Sequence, residues 1–565
     1  MNVLSYGKPF FVGQTPLDLY GGPHEVRSLG GHPELPGDCD YMHDAAHDSM
    51  ADILQRMQPW RPYLMLCWFP EDFPPPIGIE DAPVPTLATA SDWNLHYAKL
   101  ATNLARYDVV LSDVPGVDIL DSEWVSPEHP FPLYSPCTSI HHPYPVEKEL
   151  DVVFVGGFNH FVRPERAHFL ERLAKLSDRY RIVIATGYEG EAYGRMLSSA
   201  RIVFNHGVRG EVNLRVFETL ACGSVAFLEE GNAGAARWFE NGRDIVLYNA
   251  GNFEERLAYC LEHPEETEAI AARGGARAAE FAGENRLTEL IDYAAAHPSS
   301  GRRFRELPSL EQDYQTLAML QFSFLAACQA REKRLMRRLV VEHPEDPRAW
   351  TAMGTYMMNP HLKVNDEFRQ AELFVKAFLK ALELDPASAP RAINAAWACR
   401  LCRFEDEEVR CLEAALDAYS LDGASAVVGD YSCRFWLRWR MALAKKTASL
   451  AMLHAEAHLR LAAVDGRHGR HSAAEAHVAQ AAELDPDNLN GVELLAEAKW
   501  ATGRQTEAAQ TLLRYLPQHP FKLNYRTRLC EMLLRLGRVE ESDVLTKETE
   551  RVFKSCVVGP DAPEM

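Results

Sequence analysis

Asn213, Arg215 and Glu218 fall in one run, GEVNLRVFETLACGSVAFLEE (210–230), and their types and spacing suit a phosphorylated nucleoside. Leu214 to Cys222 has the pattern of a short helix closed by Gly223. Asn213 is then an N-cap, and the amides from Leu214 onward point their positive end outward, a ready anion site. Arg215 adds charge there. Glu218 lies about one turn further in, where a carboxylate can accept hydrogen bonds from ribose hydroxyls. Diphosphate at the helix start and ribose beside the carboxylate together describe a nucleotide-sugar site. Taken singly, each residue also has an ordinary reading: a cap, a surface charge, a solvated helix residue.

Other residues of matching chemistry stand nearby in the pattern. Gly156 and Gly157 end DVVFVGG (151–157), where a missing Cβ lets backbone approach a phosphate or base. Arg163 and Arg166 open the next helical stretch and suit bidentate pairing with a diphosphate. Thr186 ends one later run, RIVIATG, and Asn205, His206 and Gly207 end another, RIVFNHG. Upstream, TASDWNLHY brings Asp92 and His96 to a strand end and the first turn of a helix. A base there could deprotonate an acceptor hydroxyl, although Asp92 reads equally as an N-cap. His141 and His142 read as linker residues.

These residues need a scaffold, and the pattern supplies one. Residues 151–157, 181–187, 201–207, 224–230 and 243–249 are short β-branched runs separated by helical stretches, the mark of a parallel sheet covered on both faces. In such sheets ligands bind beyond the C-terminal strand ends, at a topological switch point. Residues 1–145 carry four further strand-like runs, NVLSYG, PYLMLCWF, VPTLATAS and YDVVLSDV, with helical patterns at 44–57 and 94–105. They predict a smaller α/β domain joined through the Pro-rich segment 131–150. Two helical stretches, 252–262 and 264–296, close the second domain.

Further on, HGRHSAAEAHV, TGRQTEAAQTL and LGRVEESDVLT begin at His468, Thr502 and Leu536, 34 residues apart each time. That period is the signature of the tetratricopeptide repeat. AWTAMGTYMMN…AFLKALELDPAS upstream resembles the same repeat with an insertion around NPHLKVND. Roughly 310–555 therefore reads as an irregular α-solenoid whose hairpins share one core.

NLRVFETLACGSVAFLEE, with the upstream MLSSARIVFNHG, resembles the donor-binding half of GT-B glycosyltransferases, in the group-1-like branch that includes spore-maturation-type proteins. The resemblance covers about residues 150–295. It implies a GT-B-like pair of Rossmann-type α/β domains, here followed by an all-α TPR-like solenoid. The expected units are 1–145 on the acceptor side, 146–300 for the donor, 301–555 for the repeats and 556–565 as a tail. It also implies a nucleotide-diphosphate sugar as co-substrate, no other cofactor and no obligate metal. By that resemblance Glu218 is the ribose-binding carboxylate and Arg166 a diphosphate partner. The wider group pairs two glutamates with seven residues between them; here that earlier position is Gly210, and Glu211 lies one residue closer.

Bulk properties fit a globular chain. Its 565 residues are 47 % hydrophobic and 25 % charged, ordinary proportions for packed domains. The net charge of −21 argues against a nucleic-acid partner, which requires a basic face. No apolar run has the length of a transmembrane helix, and the opening MNVLSYGKPFFVG lacks a signal-peptide layout, so a cytoplasmic location is expected. Twelve cysteines in apolar contexts read as reduced thiols, and the single CxxC, Cys399 and Cys402, has no second pair at zinc-ligand spacing.

Two functions remain open at this level. One is transfer of a sugar to an acceptor hydroxyl on a protein or glycan, with the repeats holding acceptor or partner, or a second copy of the chain. The other is a catalytically inactive scaffold acting through the repeats, which the displaced glutamate and short first domain favour. A nicotinamide-dependent sugar-nucleotide enzyme would need GxGxxG, which VGGFNHF is not.

Overall fold

The structure is a computed structural model. It describes residues 1–7, 23–30, 39–44, 47–71, 74–120, 124–125, 130–157, 164–207, 209–297, 302–323, 328–358, 372–427, 434–486, 488, 491–518, 522–554 and 556–558. Arg163 and the NPHLKVND insertion lie outside them.

The first unit contains β1 (Asn2–Tyr6), β2 (Glu25–Gly30), β3 (Tyr41–Met42), α1 (Met50–Arg56), β4 (Leu64–Trp68), β5 (Thr86–Ala90), α2 (Trp93–Ala101), β6 (Val109–Ser112) and α3 (Val114–Ile119). Its six strands form one parallel sheet in the order β3-β2-β1-β4-β5-β6. The four strand-like runs of the sequence are β1, β4, β5 and β6. β2 and β3 gave no such signal: EVRSLG mixes charge and glycine with its apolar residues, and β3 has only two residues.

The second unit contains β7 (Leu150–Val155), α4 (Pro164–Ala174), β8 (Ile182–Thr186), α5 (Gly190–Ser198), β9 (Ala200–Phe204), α6 (Leu214–Ala221), β10 (Val225–Glu229), α7 (Ala233–Trp238), β11 (Val246–Tyr248), α8 (Phe253–Glu262), α9 (Pro264–Ala279) and α10 (Gly283–Ala296). β7 runs LDVVFV and β10 VAFLE, and all but the outermost residues are buried, as a sheet covered on both faces requires. The strand order is β11-β10-β9-β7-β8. The chain goes from β7 to β8 on one side and returns to β9 on the other, so the switch point lies between β7 and β9.

α10 does not cover this second sheet. Its Leu287, Leu290, Ile291 and Ala294 pack with Val3, Leu64, Leu66 and Leu111 of the first, so the two units are tied through a crossing helix. Arg302 then docks on the first unit, donating from Nε and Nη2 to the Asp108 carboxylate at 3.0 and 2.7 Å.

Helices fill the rest: α11 (Ser309–Ser323), α12 (Gln329–Glu342), α13 (Pro347–Met358), α14 (Glu372–Leu384), α15 (Ala389–Leu401), α16 (Glu405–Asp417), α17 (Arg434–Ala444), α18 (Leu450–Arg467), α19 (His471–Leu484), α20 (Val492–Ala501), α21 (Gln505–Tyr515), α22 (Leu523–Arg535) and α23 (Val539–Lys554). The pairs α18–α19, α20–α21 and α22–α23 pack as hairpins. Gly469, Gly503 and Gly537 turn them with φ of 71°, 83° and 72°, so the 34-residue period is a period of left-handed turns that glycine adopts without strain.

The array returns to the α/β units in its middle and at its far end. α17 packs on α2. At the far end Cys556–Val558, expected to be part of a tail, form β12 and pair with Ile184–Thr186 at the edge of the second sheet. Among the described residues, no helix is long and apolar enough to cross a membrane.

Candidate functional site

The β7–β9 switch point is built around Arg215. It stands in the first turn of α6, and its Nε donates to the Val155 carbonyl at 2.8 Å and Nη1 to Asn205 Oδ1 at 2.7 Å. The guanidinium carbon lies 4.7 Å from the Phe154 ring centroid, a stacking position that helps fix its plane. A Cβ built on Gly156 would collide with Nη2. Any side chain at this position would displace the guanidinium from where it now sits. Asn213 occupies the N-cap position, but its side chain caps no amide; Nδ2 donates instead to Asn205 Oδ1 at 3.2 Å. Gly156, Asn205, Asn213 and Arg215 are thus brought together, and Leu214 opens the helix beside them.

Around this centre stand two further arginines. Arg166, 3 % exposed, donates from Nη2 to the Gly157 carbonyl at 2.7 Å. Arg209, in the loop before α6, has buried Nε and Nη1 atoms with no hydrogen-bond partner, and burial followed by Glu165 and Glu211 are the main influences on its charge. Glu229, at the end of β10, accepts from the Gly207 amide at 3.0 Å and from Asn232 Nδ2 at 2.8 Å. Burial raises its pKa to about 7. Beside it, burial and then Arg166 drive His206 down to about 4, so that ring is neutral. Asn232 also donates to the Glu211 carbonyl at 2.6 Å, which ties the Glu211 loop to the start of α7.

Glu218 has an enclosure of its own. Tyr193 donates its hydroxyl to Oε2 at 2.6 Å, and His141 Nε2 lies 3.3 Å from Oε1. The Cys137 amide donates to His141 Nδ1 at 3.0 Å, so the ring proton sits on Nε2, the nitrogen that faces Glu218. Burial, then His142, holds His141 down at about 4, so a neutral ring, not an imidazolium, faces Glu218. Burial also raises the Glu218 pKa, against the lowering effects of Tyr193 and Arg215. His141, read from the sequence as a linker residue, is therefore part of the Glu218 enclosure. Thr186 lies elsewhere, at the end of β8 and paired with Val558.

The first unit contributes a set of carboxyls. Glu71, just after β4, is 1 % exposed; Oε1 accepts from the Ser91 hydroxyl and from the Asp92 amide at 3.1 Å. Burial lifts its pKa to about 7, and Oε2 is buried without a partner. Asp113 accepts from the Gly116 amide and Trp93 Nε1 at 2.7 and 2.8 Å, and burial likewise raises it to about 7. Tyr134, in the connection between the units, feels Asp92, Glu211, Glu71 and Asp113 after burial itself. Asp92 of the first unit and Glu211 of the second thus approach one tyrosine. His96 belongs to a different environment: burial, then Arg440 of α17 and Lys99, push it down to about 3, too weak a base to take a proton near neutrality.

Tyr193, Arg209, Glu229, Glu71 and Tyr134 had no motif to mark them. Glu71 and Glu229 each end or follow an apolar strand, the position from which side chains reach a crevice above a parallel sheet, and that was the available signal.

Residues 163–292 match the family model described as glycosyl transferase-like. The match spans most of the second α/β unit, which is thus similar to glycosyl transferases. No curated protein matches the chain. Among solved structures it is similar to sucrose-phosphate synthase from Thermosynechococcus elongatus, at 11 % identity over 53 % of this chain and 100 % of that one, TM-score 0.36. It is similar to a glycosyltransferase from Rickettsia africae ESF-5 at 10 % identity over 52 % and 98 %, TM-score 0.36. The pneumococcal O-GlcNAc transferase, solved with UDP and GlcNAc, aligns at 12 % identity over 41 % of this chain and 56 % of that one, TM-score 0.31.

Proposed function

We propose that this chain is a glycosyltransferase that moves a sugar from a nucleotide-diphosphate donor to an acceptor hydroxyl, with the diphosphate at the β7–β9 switch point. The observation that carries the reading is Arg215, fixed by Val155 and Asn205 over Gly156 in the first turn of α6. A diphosphate there would meet Arg215 and the helix amides, with Arg166 and Arg209 close by. Guanidinium groups of this kind stabilise the charge that develops on a departing diphosphate, which is why the reading includes metal independence. Glu218, held by Tyr193 and His141, is suited to accept from ribose because each carboxylate oxygen can take a further donor. Glu71 and Asp92 are the groups of the first unit best suited to face an acceptor.

The hairpin array, read as tetratricopeptide-like, would hold a protein or glycan acceptor, a partner protein or a second copy of the chain. Its 34-residue period of turns supports this. A spore-maturation-like branch and a cytoplasmic location belong to the same reading.

The test is thermal unfolding of the full chain with UDP, GDP, CDP and dTDP and their sugars, alongside Arg215→Ala and Glu218→Ala. One nucleotide should raise the melting temperature by mass action. Arg215→Ala should weaken its binding by about 10–100-fold, the loss of a charge-assisted contact. If no nucleotide at millimolar concentration shifts the wild type, the reading fails and the inactive-scaffold alternative takes its place.

A further inference from the structure

At the joint between the first α/β unit and the helical array lies a cavity of about 410 Å³. Its walls include Glu80 from the first unit, Phe304 from the connecting segment, Asp313 and Thr316 from α11, and Arg331 and Arg338 from α12. Arg334 lines it too. The spacing 331, 334, 338 sets the three arginines on one face of α12.

A fourth guanidinium lies against the same walls. Arg106 is 2 % exposed and stacks on Phe304 with its carbon 3.5 Å from the ring centroid. It donates from Nη1 to Glu80 at 3.1 Å and from Nη2 to the Thr316 hydroxyl at 2.7 Å. Its Nε is buried without a partner, and so is Nη1 of Arg331. After burial, the charge of Arg106 is the largest influence lowering the Arg331 pKa. Glu80 and Asp313 are the carboxylates of the cavity wall, and Asp313 is paired with Arg338 at 2.6 Å. Among the described residues four guanidinium groups thus stand with two carboxylates, in a chain that has 80 acidic and 59 basic residues overall.

Arg106 is buried and Arg331 half-buried beside it, while Arg334 and Arg338 are exposed; like charges partly removed from water are costly unless a counter-charge joins them. We propose that this cavity binds a small phosphorylated ligand, whose phosphate sits among Arg331, Arg334 and Arg338 and whose remaining part lies against Phe304 and Leu335. The bound phosphate completes the electrostatics of the joint and fastens the array to the first unit. The site is separate from the switch-point crevice and does not depend on the function proposed for it.

The experiment is thermal unfolding of the full chain carrying Arg215→Ala, which mutes the crevice. Inorganic phosphate and glucose 1-phosphate are each compared with chloride at matched ionic strength. Phosphate should raise the melting temperature, and a larger rise with the ester identifies an organic phosphate as the source. An equal rise identifies the free ion. Arg331→Met should weaken phosphate binding at least about tenfold while leaving the phosphate-free melting temperature unchanged or higher, because one of two repelling charges is gone. If Arg331→Met fails to fold, Arg338→Gln, whose side chain is 47 % exposed, carries the same expectation for phosphate. No rise with either ligand, or a rise that persists in these variants, overturns the proposal.

Discussion

Glu71 illustrates how much one residue can depend on its enclosure. In the unfolded chain its carboxyl ionises at an ordinary value near 4.5; folded, burial raises it to about 7. The folded state therefore binds more protons between those values, and stability is lost as pH rises through that window. Glu71→Gln keeps an oxygen for Ser91 and the Asp92 amide but has no proton to lose. The variant should exceed the wild type in stability by on the order of 3 kcal/mol near pH 8, falling to under about 1 kcal/mol near pH 5. Urea unfolding at the two pH values checks this. A gap that does not change with pH would mean that Glu71 is not held protonated.

Among the elements, β12 does something that its length does not suggest. Three residues, Cys556–Val558, continue the second sheet beyond β8, and the preceding α23 inserts Val552 into the core that contains Phe154, Leu170 and Ile184. Ending the chain after Lys554 would remove that strand and expose the β8 edge. Loss of about 1–2 kcal/mol is expected from the missing ladder bonds. Hydrogen exchange across Ile182–Thr186 should quicken while α20 and α21 exchange as before. α6 is positioned with equal economy, since Val216, Phe217 and Leu220 bury one face and leave Arg215 directed at the sheet ends.

On the scale of the whole molecule, the helical array is attached to both α/β units rather than trailing from the second. Arg302 and α17 hold it to the first. Arg526 of α22 holds it to the second through Glu171 of α4 at 3.1 Å, with the two side chains 1 % and 6 % exposed. Removing one partner of a buried pair strands the other charge. Lys175, 3.2 Å from Glu171, offsets part of that, so Arg526→Met should cost about 3 kcal/mol. Arg526→Met with Glu171→Met should recover most of the loss in chemical denaturation. A double variant no better than the single would show that packing, not charge, holds this contact. Two-ended attachment also means that any change in the angle between the α/β units must bend the array.

Local features were legible in the residues themselves: the strands with apolar, β-branched runs (though not β2, β3 or β12), where the 34-residue hairpins turn, and that Gly156, Asn205, Asn213 and Arg215 belong to strand ends and a helix start. Each of these depends on periodicity or on neighbours a few residues away. The tertiary structure decided who meets whom. Tyr193 reaches Glu218 across 25 residues, Arg106 reaches Thr316 across 210, and Arg526 reaches Glu171 across 355. An amphipathic helix shows that it has an apolar face without showing which surface will cover it, so α10 on the first sheet and β12 on the second were not legible in advance. Nor were the protonation states of Glu71, Glu229 and His141, because each is set by burial, and burial exists only once the chain has folded around the group.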